Sequence, residues 1–229
     1  LSLALLLFGA TAASADPISI RMTDVDSVAS VTVDDNGVGD ALNGVDGAIS
    51  ASATFPEWLV SVRVGFGSRT SGGSASVPVG HLTVTGGTTF SPLGDLGANG
   101  TGELRVEFTE TDRLENSSVD GFRIDFGGSG PFLVDVEFWA DAANVAFGQG
   151  TLIGSVTGVP IQDTMFADPV DTTGWGDYSI TTVVTLYADG TSQNGSVDLD
   201  YTATPEPGSI ALCGLAVLGF AVYRRRRKA

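Results

Sequence analysis

Cysteine is nearly missing from this chain. The single one, Cys213, lies in the last twenty-five residues, so the body before it has neither a disulfide nor a thiol nucleophile. Lysine is equally scarce, with Lys228 alone near the end, and the only imidazole is His81. A Ser-His-Asp triad would have to be built around His81, which alternates with Val79 and Thr83 in an expected strand, and no Gly-x-Ser-x-Gly elbow is present. Of the 27 acidic residues only Glu206, and of the 11 basic residues Arg224 to Lys228, fall in the terminal segment. Between Asp16 and Thr204 this leaves 26 acids against six arginines, a balance of −20 with His81 neutral. Such a surface repels phosphate backbones and excludes nucleic acid as a partner. It favours solubility by self-repulsion, together with divalent cations or basic partners. Helical periodicity is also missing: no segment of the body repeats its apolar residues every three to four positions.

The two ends differ from the body. Leu1 to Ala10 is an apolar run too short to span a bilayer, and Ala13-Ser14-Ala15 supplies the small-x-small pattern of a signal peptidase site at Ala13 and Ala15. Asp16 is then the expected mature N-terminus. Residues 1–15 read as a signal peptide that lacks its initiating Met and basic region, an expected truncation. At the other end, Pro205-Glu206-Pro207 precedes an apolar run from Gly208 to Tyr223, which is followed by Arg224, Arg225, Arg226, Arg227 and Lys228. Sixteen helical residues rise about 24 Å, a little short of a hydrocarbon core of roughly 30 Å, so that the segment would only just span. The cationic cluster resists translocation and fixes the orientation, with the body outside and the tail in the cytoplasm. The two prolines hold the preceding segment extended, accessible to a membrane enzyme. A plain, unprocessed anchor is the alternative.

Pro205, Glu206 and Pro207, the short apolar helix and the terminal Arg cluster together resemble the PEP-CTERM sorting domain of Gram-negative bacteria. The resemblance covers about a tenth of the chain. It implies recognition of Pro205-Glu206-Pro207 by an exosortase, transient anchoring in the inner membrane by Gly208 to Tyr223, and cytoplasmic retention by Arg224 to Lys228. It further implies export through the secretion machinery and a final place on the cell surface or in an extracellular matrix, in company with exopolysaccharide. Residues 204–229 are accordingly expected to be the sorting signal with its transmembrane helix, and residues 16–203 the body.

Within the body, period-two alternation dominates. Leu104, Val106 and Phe108 alternate with Glu103, Arg105 and Glu107, and Phe122, Ile124 and Phe126 with Arg123 and Asp125. The same pattern predicts strands at Val60 to Phe66, Val134 to Phe138 and Val197 to Tyr201. Less regular strands are expected at Ile18 to Thr23, Val28 to Val33, Val77 to Thr85, Val145 to Val156 and Tyr178 to Tyr187. Asp35-Asn36-Gly37, Gly72-Gly73, Gly86-Gly87, Asn99-Gly100, Gly127-Gly128 and Asp189-Gly190 supply turn residues, and Ser68 to Ser76 and Asp163 to Asp177 read as long loops. Ten short strands with charge on one face predict one all-β domain, an antiparallel β-sandwich of jelly-roll or immunoglobulin-like type.

Two kinds of site are expected, neither catalytic. Glycosidase chemistry needs two positioned carboxylates, but Glu103, Glu107, Asp125, Asp135, Glu137 and Asp198 fall on polar strand faces where solvation accounts for them. A calcium site is suggested by Asp34-Asp35-Asn36-Gly37-Val38-Gly39-Asp40, with Asp34, Asn36 and Asp40 as oxygen ligands; Val38 and the lack of a twelfth-position Glu exclude a helix-loop-helix calcium hand. A carbohydrate site is suggested at Trp175-Gly176-Asp177-Tyr178, where Trp175, Asp177 and Tyr178 lie in a Gly-flanked loop. Trp58 and Trp139 are weaker platforms. The combined expectation is a structural or adhesive exported protein of an exopolysaccharide or biofilm layer, or a carbohydrate-binding module centred on Trp175.

Overall fold

Alternation of the kind seen in Ile18, Ile20 and Met22 sends every second side chain to one side of a pleated strand. In the computed structural model those three residues are fully buried while Ser19, Arg21 and Thr23 lie on the other face. The structure describes residues 18–203 except 46, 57, 67–79, 89–101, 114–121, 130–132, 161–162, 168–169, 171–173 and 189–193. Twelve strands are found there: β1 (Ile18–Asp24), β2 (Ala29–Asp34), β3 (Ala48–Thr54), β4 (Trp58–Phe66), β5 (Gly80–Thr88), β6 (Gly102–Arg113), β7 (Phe122–Ser129), β8 (Leu133–Asp141), β9 (Thr151–Pro160), β10 (Asp163–Ala167), β11 (Tyr178–Ala188) and β12 (Asn194–Ala203). No helix occurs among the described residues.

The strands form two six-stranded antiparallel sheets, ordered β2-β1-β6-β11-β8-β9 and β10-β7-β12-β5-β4-β3. Strands β5 to β12 alternate between the sheets, except for the β8–β9 hairpin, so that one sheet contains β6-β11-β8-β9 and the other β5-β12-β7-β10. This is the jelly-roll order, two interlocked Greek keys. The pairs β1-β2 and β4-β3 extend the two sheets beyond β6 and β5. Side chains from both sheets meet in one core, among them Ile20, Leu104, Val106, Val136 and Val184 from the first and Ile49, Trp58, Val60, Val62 and Leu199 from the second. A fully buried Val, Leu or Ile contributes about 1.5–3 kcal/mol, so this interlayer stabilises the body without any covalent staple.

All ten expected strands are present, and two more accompany them. Strand β3 is built of small residues, with Ile49, Ala51 and Ala53 inward. Strand β10 forms from Asp163 to Ala167, the first part of the segment expected as a loop, and pairs with β7. The strand expected from Val145 begins only at Thr151; residues 142–150 form an irregular connection instead. Gly86-Gly87 and Gly127-Gly128, expected as turns, lie inside β5 and β7 opposite β12. The expected turn at Asp35-Asn36-Gly37 is present, with Asn36 in the left-handed region and Gly37 N donating to Asp34 O at 2.8 Å. The signal segment, Ser68 to Ser76, and the turns at Gly72, Asn99 and Asp189 lie outside the described residues, as does the tail from Thr204 onward.

Candidate functional site

The outer face of the first sheet should be polar and solvated, yet several residues on it are buried. Glu107 is only 2% exposed, and Thr109, Thr181 and Val183 are buried beside it. The carboxylate of Glu107, expected on a solvated strand face, is therefore misplaced by strand alternation alone. The cause is the connection from β8 to β9, which crosses this face. Ser179 Oγ donates to Val145 O at 3.0 Å, and Asn144 Nδ2 donates to Asp112 Oδ1 at 2.7 Å while Asp112 N donates to Asn144 Oδ1 at 2.8 Å. Asp112, Asn144 and Phe147 all hold positive φ, at 58°, 52° and 60°, conformations that cost energy in non-glycine residues and persist only under tertiary constraint.

Beside this strap lies an open recess of about 440 Å³ lined by Arg21, Thr23, Ser30, Arg105, Glu107, Phe147 and Gln149. Strand register builds it. Arg21 of β1 is the direct partner of Glu107 in β6, Thr23 is the partner of Arg105, and Ser30 of β2 is the partner of Thr23. Arg21 Nε donates to Glu107 Oε2, and Arg105 Nη2 donates to Glu107 Oε1 at 3.0 Å. One buried carboxylate thus holds two guanidiniums, each about one-third exposed. Hydrogen bonding to Glu107 raises the pKa of Arg21 above its ordinary value, and this outweighs the opposite pull of burial. The Phe147 ring lies over the same guanidinium, 4.3 Å from centroid to Cζ, a cation–π contact. Gln149 Nε2 reaches Glu107 Oε1 at 3.4 Å, and Thr23 Oγ1 reaches Ser30 Oγ at 3.4 Å.

The acidic part of this face lies further along the same strands. Burial raises the pKa of the Glu103 carboxyl; the charges of Asp26 and Asp135 add to the shift, and Arg105 opposes it. Burial also raises the Tyr187 phenol, which donates to Asp135 Oδ2 at 2.8 Å.

The residues expected as calcium ligands serve the β2–β3 connection. Asp40 is buried, and its carboxylate accepts three backbone N–H groups, from Leu42 at 2.8 Å, Ser50 at 3.0 Å and Asn36 at 3.1 Å. Asn36 Oδ1 accepts Gly44 N, and Asp34 Oδ1 accepts Ser19 Oγ at 2.6 Å. Among the described residues no three carboxylate, imidazole or thiol groups converge as an ion would require.

The expected sugar platform is partly buried by packing. Tyr178 is 3% exposed, and Trp175 meets it edge to face, with centroids 6.2 Å apart, while packing against the core. Asp177 is exposed beside them. Trp58 is wholly in the core, and Trp139 lies on the outer face with its Nε1 donating to Glu137 Oε2 at 3.0 Å.

Strand β12, which lies between β7 and β5, is paired as far as Ala203. At that residue a family match begins: the PEP-CTERM protein-sorting motif covers residues 203–227. The chain carries a PEP-CTERM sorting signal. It marks an exported protein whose precursor is anchored in a membrane and processed by an exosortase. The Pro-Glu-Pro segment thus follows the last described strand residue closely, with Thr204 alone between Ala203 and Pro205. No curated protein matches the chain.

Proposed function

We propose that this exported protein acts at the cell surface or in the extracellular matrix as a structural or adhesive component of an exopolysaccharide layer, binding its partner without transforming it. The observation that carries this reading is the recess on the outer face of the first sheet. An aromatic ring, guanidinium donors, an amide and two hydroxyls meet there at an open depression, the mixture by which polar, ring-shaped ligands are held. Its one carboxylate, Glu107, is neutralised by Arg21 and Arg105, which suits orientation of those donors better than general acid–base work.

The body charge of −20 offers a second route to the same role, since calcium or another divalent cation bridges carboxylates of protein and polymer. Co-sedimentation of the exported protein with the polysaccharide of its own cells, in calcium and in EDTA, tests both. Retention in both buffers supports direct recognition, and retention abolished by EDTA assigns adhesion to cation bridging. Protein left in the supernatant under both conditions would overturn the adhesive reading.

A further inference from the structure

We propose that the recess over Arg21, Arg105 and Phe147 is a binding site for a uronate, a carboxylate-bearing sugar residue within a polysaccharide chain. The proposal rests on the adhesive reading above and names the ligand chemistry of that site.

Charge decides between an acidic and a neutral sugar. Arg21, Arg105 and Glu107 together carry one net positive charge, in a body whose overall balance is −20. Glu107 takes Nε of Arg21 and Nη2 of Arg105, so among the described residues both Nη groups of Arg21 and Nη1 of Arg105 have no partner. Two Nη groups on one planar guanidinium match the two oxygens of a carboxylate, a bidentate pairing stronger than neutral hydrogen bonds. A neutral sugar offers those Nη groups no charged acceptor. The general negative charge of the body does not forbid an anion here, because exposed charges more than about 8 Å apart are largely screened at physiological ionic strength.

Shape and preorganisation point the same way. Phe147 covers one face of the Arg21 guanidinium, so an anion approaches along its edge, where the free donors lie. The guanidiniums are fixed before any ligand arrives, because their shared carboxylate is buried and directly paired in register with Arg21. Less side-chain freedom is then lost on binding. Gln149 Oε1 and the hydroxyls of Thr23 and Ser30 line the same recess and supply partners for ring hydroxyls, and Phe147 adds apolar surface to its wall. The recess opens to solvent, as a polymer that continues past the bound residue requires.

The test is isothermal titration of the exported protein, in EDTA, with oligomers of galacturonate, glucuronate and mannuronate and with the same oligomers after reduction of their carboxyls to alcohols. At least one acidic oligomer is expected to bind, and its reduced form to bind about tenfold or more weakly, the loss of a charge-assisted hydrogen-bond pair. Arg21→Lys keeps the charge but loses the fork, and weakens binding of the acidic oligomer by a similar factor. Gln149→Ala, at an exposed position that leaves folding intact, weakens it less. Equal affinity for acidic and reduced oligomers would overturn the proposal without any variant, as would unchanged affinity in both variants. Binding of the native polysaccharide with no binding of any uronate oligomer removes the uronate site and leaves the adhesive role standing; binding of neither in EDTA removes the uronate site and leaves only cation-bridged adhesion, which the same titration in calcium then accepts or removes.

Discussion

Arg21 and Glu107 are direct cross-strand partners in β1 and β6, and their side chains join on a sheet face where a carboxylate should be wet but is not. A buried carboxylate is tolerated only when its charge is met, and here two guanidiniums meet it. Glu107→Gln keeps the shape and removes the charge, leaving Arg21 and Arg105 facing each other without a counter-ion. The expected loss is about 2 kcal/mol, tempered by the partial exposure of both arginines. For a body of this length that lowers the melting temperature by roughly 4–8 °C. A melting curve that superimposes on the parent would show that the trio contributes nothing to stability. A double-mutant cycle with Arg21→Ala isolates the coupling between the two residues.

The strap that buries Glu107 depends on close approach at Gly148. A Cβ added there would lie 2.0 Å from Asp141 Oδ2, and Asp141 Oδ1 is already engaged by Ala143 N at 2.9 Å. Gly148→Ala therefore forces Asp141 and the connection apart. We expect destabilisation of about 2 kcal/mol and faster amide exchange across residues 144–149, with the core strands unchanged. Exchange rates equal to the parent's in that segment would mean that the strap yields without cost.

Asp40 links pH to stability. Burial alone would raise its pKa, but the N–H groups of Ser50, Leu42 and Asn36 favour the charged form and leave the folded pKa below the ordinary one. A carboxyl more acidic in the folded state than in the unfolded chain contributes stability that is complete above the unfolded value of about 4. That contribution is lost as pH falls through the lower folded value. Asp40→Asn offers one carbonyl oxygen where three donors were met by two. It should cost about 2 kcal/mol at pH 7 and flatten the loss of stability as pH falls below the ordinary carboxylate value of about 4. Urea titrations at a series of pH values check this, and parallel acid limbs for both proteins would contradict it.

How far the sequence reveals this architecture depends on the range of the interaction that decides each feature. Ile20 against Arg21 and Val106 against Glu107 announce strands locally, because alternation is a property of neighbours. Strand β3 is silent on the same criterion: Ala48 to Thr54 has only Ile49 as a large apolar residue, and its burial comes from pairing with β4. Gly86-Gly87 and Gly127-Gly128 have turn chemistry but are held extended by β12, a strand far away in sequence. Glu107 and Phe147 belong to the recess only because β1 pairs with β6 and the β8–β9 connection folds back over both. One signal was available: two of the body's six arginines, Arg21 and Arg105, occupy outward positions in strands that an antiparallel sheet brings together. At Trp175 the Gly-flanked setting suggests an exposed ring, and contacts with the Tyr178 ring and the core leave it partly buried.

The junction at Ala203 determines what processing does to the fold. Strand β12 is flanked on both sides, by β7 and β5, and its pairing with β7 ends in the Ala203–Phe122 partnership. The sorting motif begins at the same residue, so nothing beyond Thr204 contributes to a described strand. A cut near Pro205 should therefore leave every described strand in place, and a chain ending at Thr204 should melt within about 1 °C of the processed protein, since all twelve described strands are retained. Replacing Pro205, Glu206 and Pro207 by alanine removes the handle without touching the body. We expect that variant to accumulate as a full-length, membrane-bound precursor, visible as a slower-migrating band in the membrane fraction, while the parent is recovered shortened outside it. Processing of the triple variant at the parental rate would show that the Pro-Glu-Pro segment is not what the enzyme grips. A lowered melting temperature for the chain ending at Thr204 would show instead that the tail helps to hold β12 in its central place.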